Sequence, residues 1–337
     1  MAYQHPPLNR KSSAPWDRLR PVKQDPLESV GFVSKGDNRL LNIKTQESYY
    51  HKITARYMQF CTQHSKNLNE AFASLSLEEP DAGTSAEAHN VTLRPPTTVV
   101  GRPTTPSYVA KQSAVWRGPN PGISVSPDPA DELSNILTAL RKLREAILAT
   151  SRNALSPVFS QRVHVFNIRL AILALHPDSY HASLRYLLIS LHSREHPLPA
   201  TELREMTAYL ILDTALRMDD MNQAHRIRVA AKQRWNFRDK EVDLILKAVV
   251  TENWPLFWQV HNRVDGYLRA IIHWKLESWR KSILKAIARS YMKCDIEWIL
   301  KNATGGDMSW DELVAKEDVG WLRDSNTAII RKPKVRS

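Results

Sequence analysis

Apolar residues recur every three or four positions over most of the second half of the chain, and that spacing predicts a run of amphipathic helices. The pattern gives helices near 131–152, 157–175, 179–193, 201–217, 220–233, 239–250, 253–263 and 266–276. Breaks fall at Pro157, Pro177, Pro197-Leu198-Pro199, Met218-Asp219-Asp220 and Asn253-Trp254-Pro255. Proline lacks the N–H that a helix interior needs. Asp219-Asp220 reads as a helix–helix turn, with a carboxylate capping the next helix rather than serving as an acid pair. Helices of this length on short turns stack as antiparallel pairs. No strict period relates them, so residues 129–276 are expected to form a degenerate right-handed superhelix of helical repeats.

The pattern changes after Glu277. Trp279, Ile283, Ile287 and Tyr291 recur at fourfold spacing, with Leu284 filling the stripe, and cations lie on the other side. A short helix follows, with Ile296, Ile299 and Leu300 inward, and Gly305-Gly306 stops it. Ser309 with Glu312 three residues later marks a capping box and a third helix. Apolar runs Val319–Leu322 and Thr327–Ile330 flank Asp324-Ser325-Asn326, which predicts a β-hairpin. Three helices and a hairpin over 277–332 predict a winged-helix module, followed by a basic tail, 333–337.

Upstream the periodicity is weaker. Residues 1–44 hold Pro6, Pro7, Pro15, Pro21 and Pro26 and few apolar residues, and are expected to be disordered. Within 45–79 one helix is predicted over about 45–75 from Tyr49, Ile53, Tyr57 and Phe60. Residues 80–128, rich in Pro, Ser and Thr, read as a disordered linker. The fold class expected is therefore all-α, with one small terminal hairpin.

Composition adds the partner class. The 337 residues carry 47 Lys and Arg against 35 Asp and Glu, a net charge of +12 that favours an acidic partner, nucleic acid first. Two cysteines make no disulfide framework and point to a reducing compartment. No apolar run reaches the ~20 residues of a membrane helix, and Met1 to Arg10 lacks the apolar core of a signal peptide. The expectation is a nuclear and/or cytoplasmic protein with no membrane partner.

Four stretches carry a resemblance. They are VHVFNIRLAILALHP from Val163, DSYHASLRYLLISLH from Asp178, PLPATELREMTAYLILDTALRMDDMNQAHRIR from Pro197, and the long tract from Leu246 to Leu300. The most telling pieces are Ala248 to Trp258, with its Asn-Trp-Pro-x-Phe-Trp break, and Arg280-Lys281. Together they resemble the PCI family, named for the proteasome lid, the signalosome and translation initiation factor three, and within it the GANP-like branch. The resemblance covers about 131–332. It implies a helical-repeat scaffold ending in a winged helix that pairs with other PCI-type subunits. It further implies work in nuclear mRNA biogenesis and export, alongside a small acidic shared subunit. The alternative it leaves open is a subunit or regulator of the proteasome lid, signalosome or initiation factor.

Candidate site residues follow from charge and aromaticity. For RNA, the candidates are Lys275, Arg280, Lys281, Lys285, Lys293, Lys301, Arg331, Lys332 and Lys334, since phosphates are held by such cations. Asp311, Glu312, Glu317 and Asp318 make the third helix acidic, which opposes duplex reading through it. Trp310, Trp321 and Ile329 are the candidates for a protein interface. No histidine or cysteine set has metal-ligand spacing, and no phosphate loop or nucleophile motif occurs. No cofactor, metal or catalytic residue is therefore expected, and the chain reads as non-enzymatic.

Overall fold

A computed structural model describes residues 25–78, 128–150 and 156–331. Among these residues the protein is built of α-helices, with one antiparallel sheet near the C-terminus. The helices are α1 (Ile43–Gln63), α2 (Leu68–Glu78), α3 (Pro129–Ala149), α4 (Pro157–Leu173), α5 (Pro177–Tyr186) and α6 (Ala200–Leu212). They continue as α7 (Met221–Trp235), α8 (Lys240–Val250), α9 (Trp254–His261), α10 (Gly266–Ser290), α11 (Ile296–Thr304) and α12 (Trp310–Glu317). The strands are β1 (Lys293–Asp295), β2 (Leu322–Asp324) and β3 (Thr327–Ile329), in spatial order β1-β3-β2. The predicted linker, Asp128 apart, and most of the predicted basic tails lie outside the described residues.

Helix starts are set by neighbouring residues. Asp128, Asp220, Asp239, Asn253, Asp265 and Asp295 each accept a backbone N–H from the first turn of the helix that follows. Proline occupies the first turn of α3, α4, α5 and α9, where no N–H is required. Each cap contributes about 1 kcal/mol, so the breaks fall where the sequence places them. Ser309 and Glu312 exchange both bonds of the capping box at α12. Beyond their α-helical parts, α5 and α6 run on into π turns at Leu187–Leu191 and Asp213–Arg217.

Four features differ from the pattern-based reading. Residues 25–42 are not a free tail: Leu27 and Leu40 are buried, and their carbonyls accept from Tyr49 Oη and Gln46 Nε2, both at 2.8 Å. A few anchors, with Phe32 under the cations of Arg141 and Lys142, hold a stretch too poor in apolar residues to signal itself. The segment predicted as one helix is two, broken around His64, and both pack on α3. Tyr50 meets Phe159 and Phe166 edge-on, which joins α1 to α4. Across the predicted boundary at 276/277, α10 runs unbroken, because nothing between Lys275 and Trp279 stops a helix. Finally, β1 adds a third strand to the hairpin, pairing Lys293 with Ile329 and Asp295 with Thr327. One contiguous apolar cluster runs from Leu27 through Ala328.

The core of α4 holds a histidine that bears on stability. His164 is buried, and neither ring nitrogen has a protein hydrogen-bond partner among the described residues. Its neighbours include the Tyr186 ring at 5.0 Å. Burial, helped by the nearby Arg144 charge, pushes its pKa down to about 3. The folded state therefore refuses a proton that the unfolded chain accepts below its ordinary value near 6.5. His164 then contributes stability that is complete above that value and is lost as pH falls, at up to about 1.4 kcal/mol per pH unit. His164→Leu is expected to flatten the stability decline between about pH 6.5 and 5 by about 2 kcal/mol at the acid end. Urea denaturation at several pH values measures this, and an unchanged slope would contradict it.

Candidate interaction surface at the C-terminal end

Trp279, Ile283, Leu284 and Ile287 line the buried face of α10 as their spacing requires. Tyr291 leaves the stripe because the helix stops at Ser290 and Tyr291 takes an extended backbone, φ −119° and ψ 146°. The chain then forms β1, and Asp295 caps α11 while its second oxygen accepts from Asn326 Nδ2 at 2.9 Å. α11 and α12 follow, and β2 and β3 close the sheet through the two-residue turn Ser325-Asn326. Ser325 sits at φ +54° there.

The predicted cations meet different fates. Arg280 is buried; its Nε donates to Glu317 at 2.5 Å and its Nη1 lies 3.8 Å from Met308 Sδ. It is an internal strut between α10 and α12, not a free phosphate ligand. Lys275 donates to Asp219 at 2.6 Å, which ties α10 to the turn before α7. Lys281 is exposed but pairs with Glu277 one turn back. The Arg331 guanidinium donates to the Ala288 carbonyl at the end of α10. Lys285, Lys293 and Lys301 are exposed on α10, β1 and α11, with no ion pair among the described residues. Lys332 and Lys334 lie outside the described residues.

The predicted interface aromatics are largely internal. Trp310 is buried and stacks on Trp321, with ring centres 6.4 Å apart and planes 28° from parallel. Trp321 and Ile329 are half-buried. The stacking pair pins α12 to the segment entering β2, so burial has consumed the area that Trp310 would offer a partner.

Different apolar residues are left outside. Tyr291, Met292 and Trp298 are 44, 46 and 38% exposed, and the Tyr291 and Trp298 rings lie 5.8 Å apart. They flank β1, whose outer edge pairs with no strand among the described residues. An open edge beside apolar side chains is a template for pairing with another chain. The sequence signal was faint: a three-residue strand has no period, and Tyr291 reads as the continuation of a buried stripe.

Among the described residues, one buried cluster of ionisable side chains invites an enzymatic reading. Asp213 is fully buried at the first position of its π turn. Its Oδ1 accepts from Tyr180 Oη and Arg217 Nε, both at 2.6 Å, and its Oδ2 meets His181 Nδ1 and Arg217 Nη2, both at 2.8 Å. A carboxylate with four partners has no lone pair left for a substrate, so this is a clamp between α5 and the end of α6. Among the described residues no three His, Cys, Asp or Glu side chains stand together as metal ligands. Among them, too, no helix is long and apolar enough to cross a membrane. Cys61 and Cys294 are free thiols, and burial pushes the Cys294 thiol up.

In comparisons with known proteins, no family model matches the chain and no curated protein matches it.

Proposed function

We propose that the chain is a non-catalytic, PCI-type scaffold subunit that works in nuclear mRNA biogenesis and export. In this reading α3–α10 serve as the helical-repeat superhelix and the segment from α10 to β3 as its winged-helix cap. The order helix, strand, helix, helix, strand, strand over Gly266–Ile329 carries the proposal, together with the unpaired β1 edge and its apolar flank. The occupant we assign to that edge is the equivalent strand of a second subunit of the same kind. Main-chain bonds along β1 supply affinity, and Tyr291, Met292 and Trp298 supply an apolar anchor. A small acidic subunit is a further partner in this reading. RNA contact at this end falls to Lys285, Lys293 and Lys301, the described candidates left with neither an ion pair nor a hydrogen bond.

The test is co-purification of the tagged full-length chain, with crosslinks mapped to β1. Met292→Asp with Trp298→Asp is expected to release the second subunit by tenfold or more. The circular dichroism of the free chain should stay unchanged, because both side chains are exposed. Recovery of mRNA-export or splicing factors supports the reading. Lid, signalosome or initiation-factor subunits in their place would favour the alternative. Retention of the partner by the double variant would sink the docking proposal.

A further inference from the structure

We infer that α7, with the turn that follows it, is a nucleic-acid-binding surface that grips the phosphate backbone. The inference does not rest on the family reading. From Met221 to Arg238 the chain has no Asp or Glu, yet it holds Arg226, Arg228, Lys232, Arg234 and Arg238. The helix buries only two residues, Ala224 and Ala231. At about 100° per residue these two fall within about 20° of each other, and Arg226 lies on the opposite side. Lys232 and Arg234 lie to either side of it, about 120° and 80° away. All three are exposed. Ala224 and Ala231, with Met221, Ile227 and Trp235 beside them, seat the helix on the body, and every charged residue left on its outer arc is a cation.

The intramolecular partners do not neutralise this arc. Arg228 alone of the five makes an ion pair among the described residues, with Asp243 at 2.6 Å. Arg228 and Lys232 stand four residues apart, a spacing at which like charges repel. Asn236 turns the chain in the left-handed region at φ +51°, and Arg238 and Lys240 come round to the same groove as Lys232. That groove measures about 540 Å³ and is also lined by Arg204, Arg228 and three acids. Asp239 is taken by Arg204 at 3.0 Å and by the Val242 N–H, Asp243 is taken by Arg228, and Glu241 is the remaining acid. Cations exceed acids at the groove, five to three, and on the helix four to none.

Such a surface suits a strand of regularly spaced phosphates. Guanidinium groups fork onto phosphate oxygens, and the amides of Asn222, Gln223 and Gln233 add exposed donors along the same arc. A lipid surface is disfavoured, because a membrane-lying helix needs a broad apolar face and Val229 is the one exposed large apolar residue on α7. Trp235, the one aromatic of α7, is half-buried with its edge against His192 at 5.4 Å. Base stacking is therefore not the mode, and the contact is with the backbone, largely indifferent to sequence.

The experiment is fluorescence anisotropy of the full-length chain with labelled rU20, dT20 and 20-base-pair RNA and DNA duplexes across a salt series. Arg226→Glu/Lys232→Glu/Arg234→Glu is expected to weaken binding at least tenfold. In Arg226→Gln/Lys232→Gln/Arg234→Gln, which adds no new charge, the single-strand salt slope should fall by about two, three lost phosphate contacts at about 0.7 each. Lys44→Glu/Lys52→Glu/Lys66→Glu, the same charge change at exposed lysines on α1 and just after it, should change affinity less than threefold. That comparison separates a contact at α7 from the bulk charge of the chain. The inference is overturned if the α7 variants bind as the natural chain does, or if the Lys44/Lys52/Lys66 variant loses as much binding as they do. It is overturned equally if a 20-residue polyglutamate peptide binds as tightly as rU20 at the same salt, which would assign the surface to an acidic protein.

Discussion

Asp213→Ala is expected to destabilise the protein by about 3–5 kcal/mol, the usual cost of removing one partner from a buried charged pair. Burial by itself would raise the Asp213 carboxyl; hydrogen bonds from Arg217, Tyr180 and His181 outweigh it and hold the carboxyl below the ordinary value. Without the carboxylate, the Tyr180 hydroxyl is buried with no acceptor, and Arg217 loses both of its bonds to it. Asp213→Asn keeps the volume and one acceptor oxygen, so it should cost less than Ala while still losing the charge. The depressed carboxyl contributes stability above the unfolded value, near 3.9, and that share is lost as pH falls below it. It therefore acts in a more acid window than His164 does. Urea denaturation of the two variants at neutral pH measures the difference. A loss under about 1 kcal/mol for Ala would show that the clamp is not needed to join α5 to α6.

Trp258→Ala is expected to cost a similar amount, about 3–5 kcal/mol, and to loosen the C-terminal end first. Its indole Nε1 donates to the Asn302 carbonyl at 2.7 Å across 44 positions of sequence. Its ring lies beneath Gly305, where an added Cβ would stand 2.6 Å from Cε3. The Trp279 ring closes the other side through Phe257, 5.0 Å away. Trp258→Phe keeps most of the packing and strands one carbonyl, for a loss of about 1–3 kcal/mol. Gly305→Ala attacks the same contact from the other side and adds the strain of φ +74°. Hydrogen exchange read by mass spectrometry should show Ile296–Thr304 losing protection before α3 and α4 do. Uniform loss across the chain would mean that the two ends do not come apart separately.

The predicted helix stops are where legibility was best. Asp220, Asp239, Asn253 and Ser309 accept from residues three positions on, and Pro157 and Pro177 act on their own turn. The Gly305 stop has the same character, being a left-handed residue at the end of α11. The C-terminal hairpin was legible too, because its turn is two residues long. The candidate site was legible only as a composition. Arg280 looks identical in sequence to Lys285, and Glu317, 37 positions later, makes one a strut and leaves the other in solvent. The acid-free run from Met221 was in plain view in the sequence. What the sequence does not encode is that Arg226, Lys232 and Arg234 stay exposed while Arg228 pairs with Asp243.

Sequence alone therefore determined a helical protein, the starts of the helices that open on a cap or a proline, the capping box, the closing hairpin and the excess of positive charge. Tertiary structure decided that α10 runs through the supposed boundary, that residues 25–42 pack on the body, that β1 joins the sheet, and which cations remain unpaired. The division has one physical cause. A capping bond or a turn is satisfied within about four residues, so neighbours encode it. Burial and ion pairing are satisfied by groups tens of residues away, so they exist only once the chain has closed on itself.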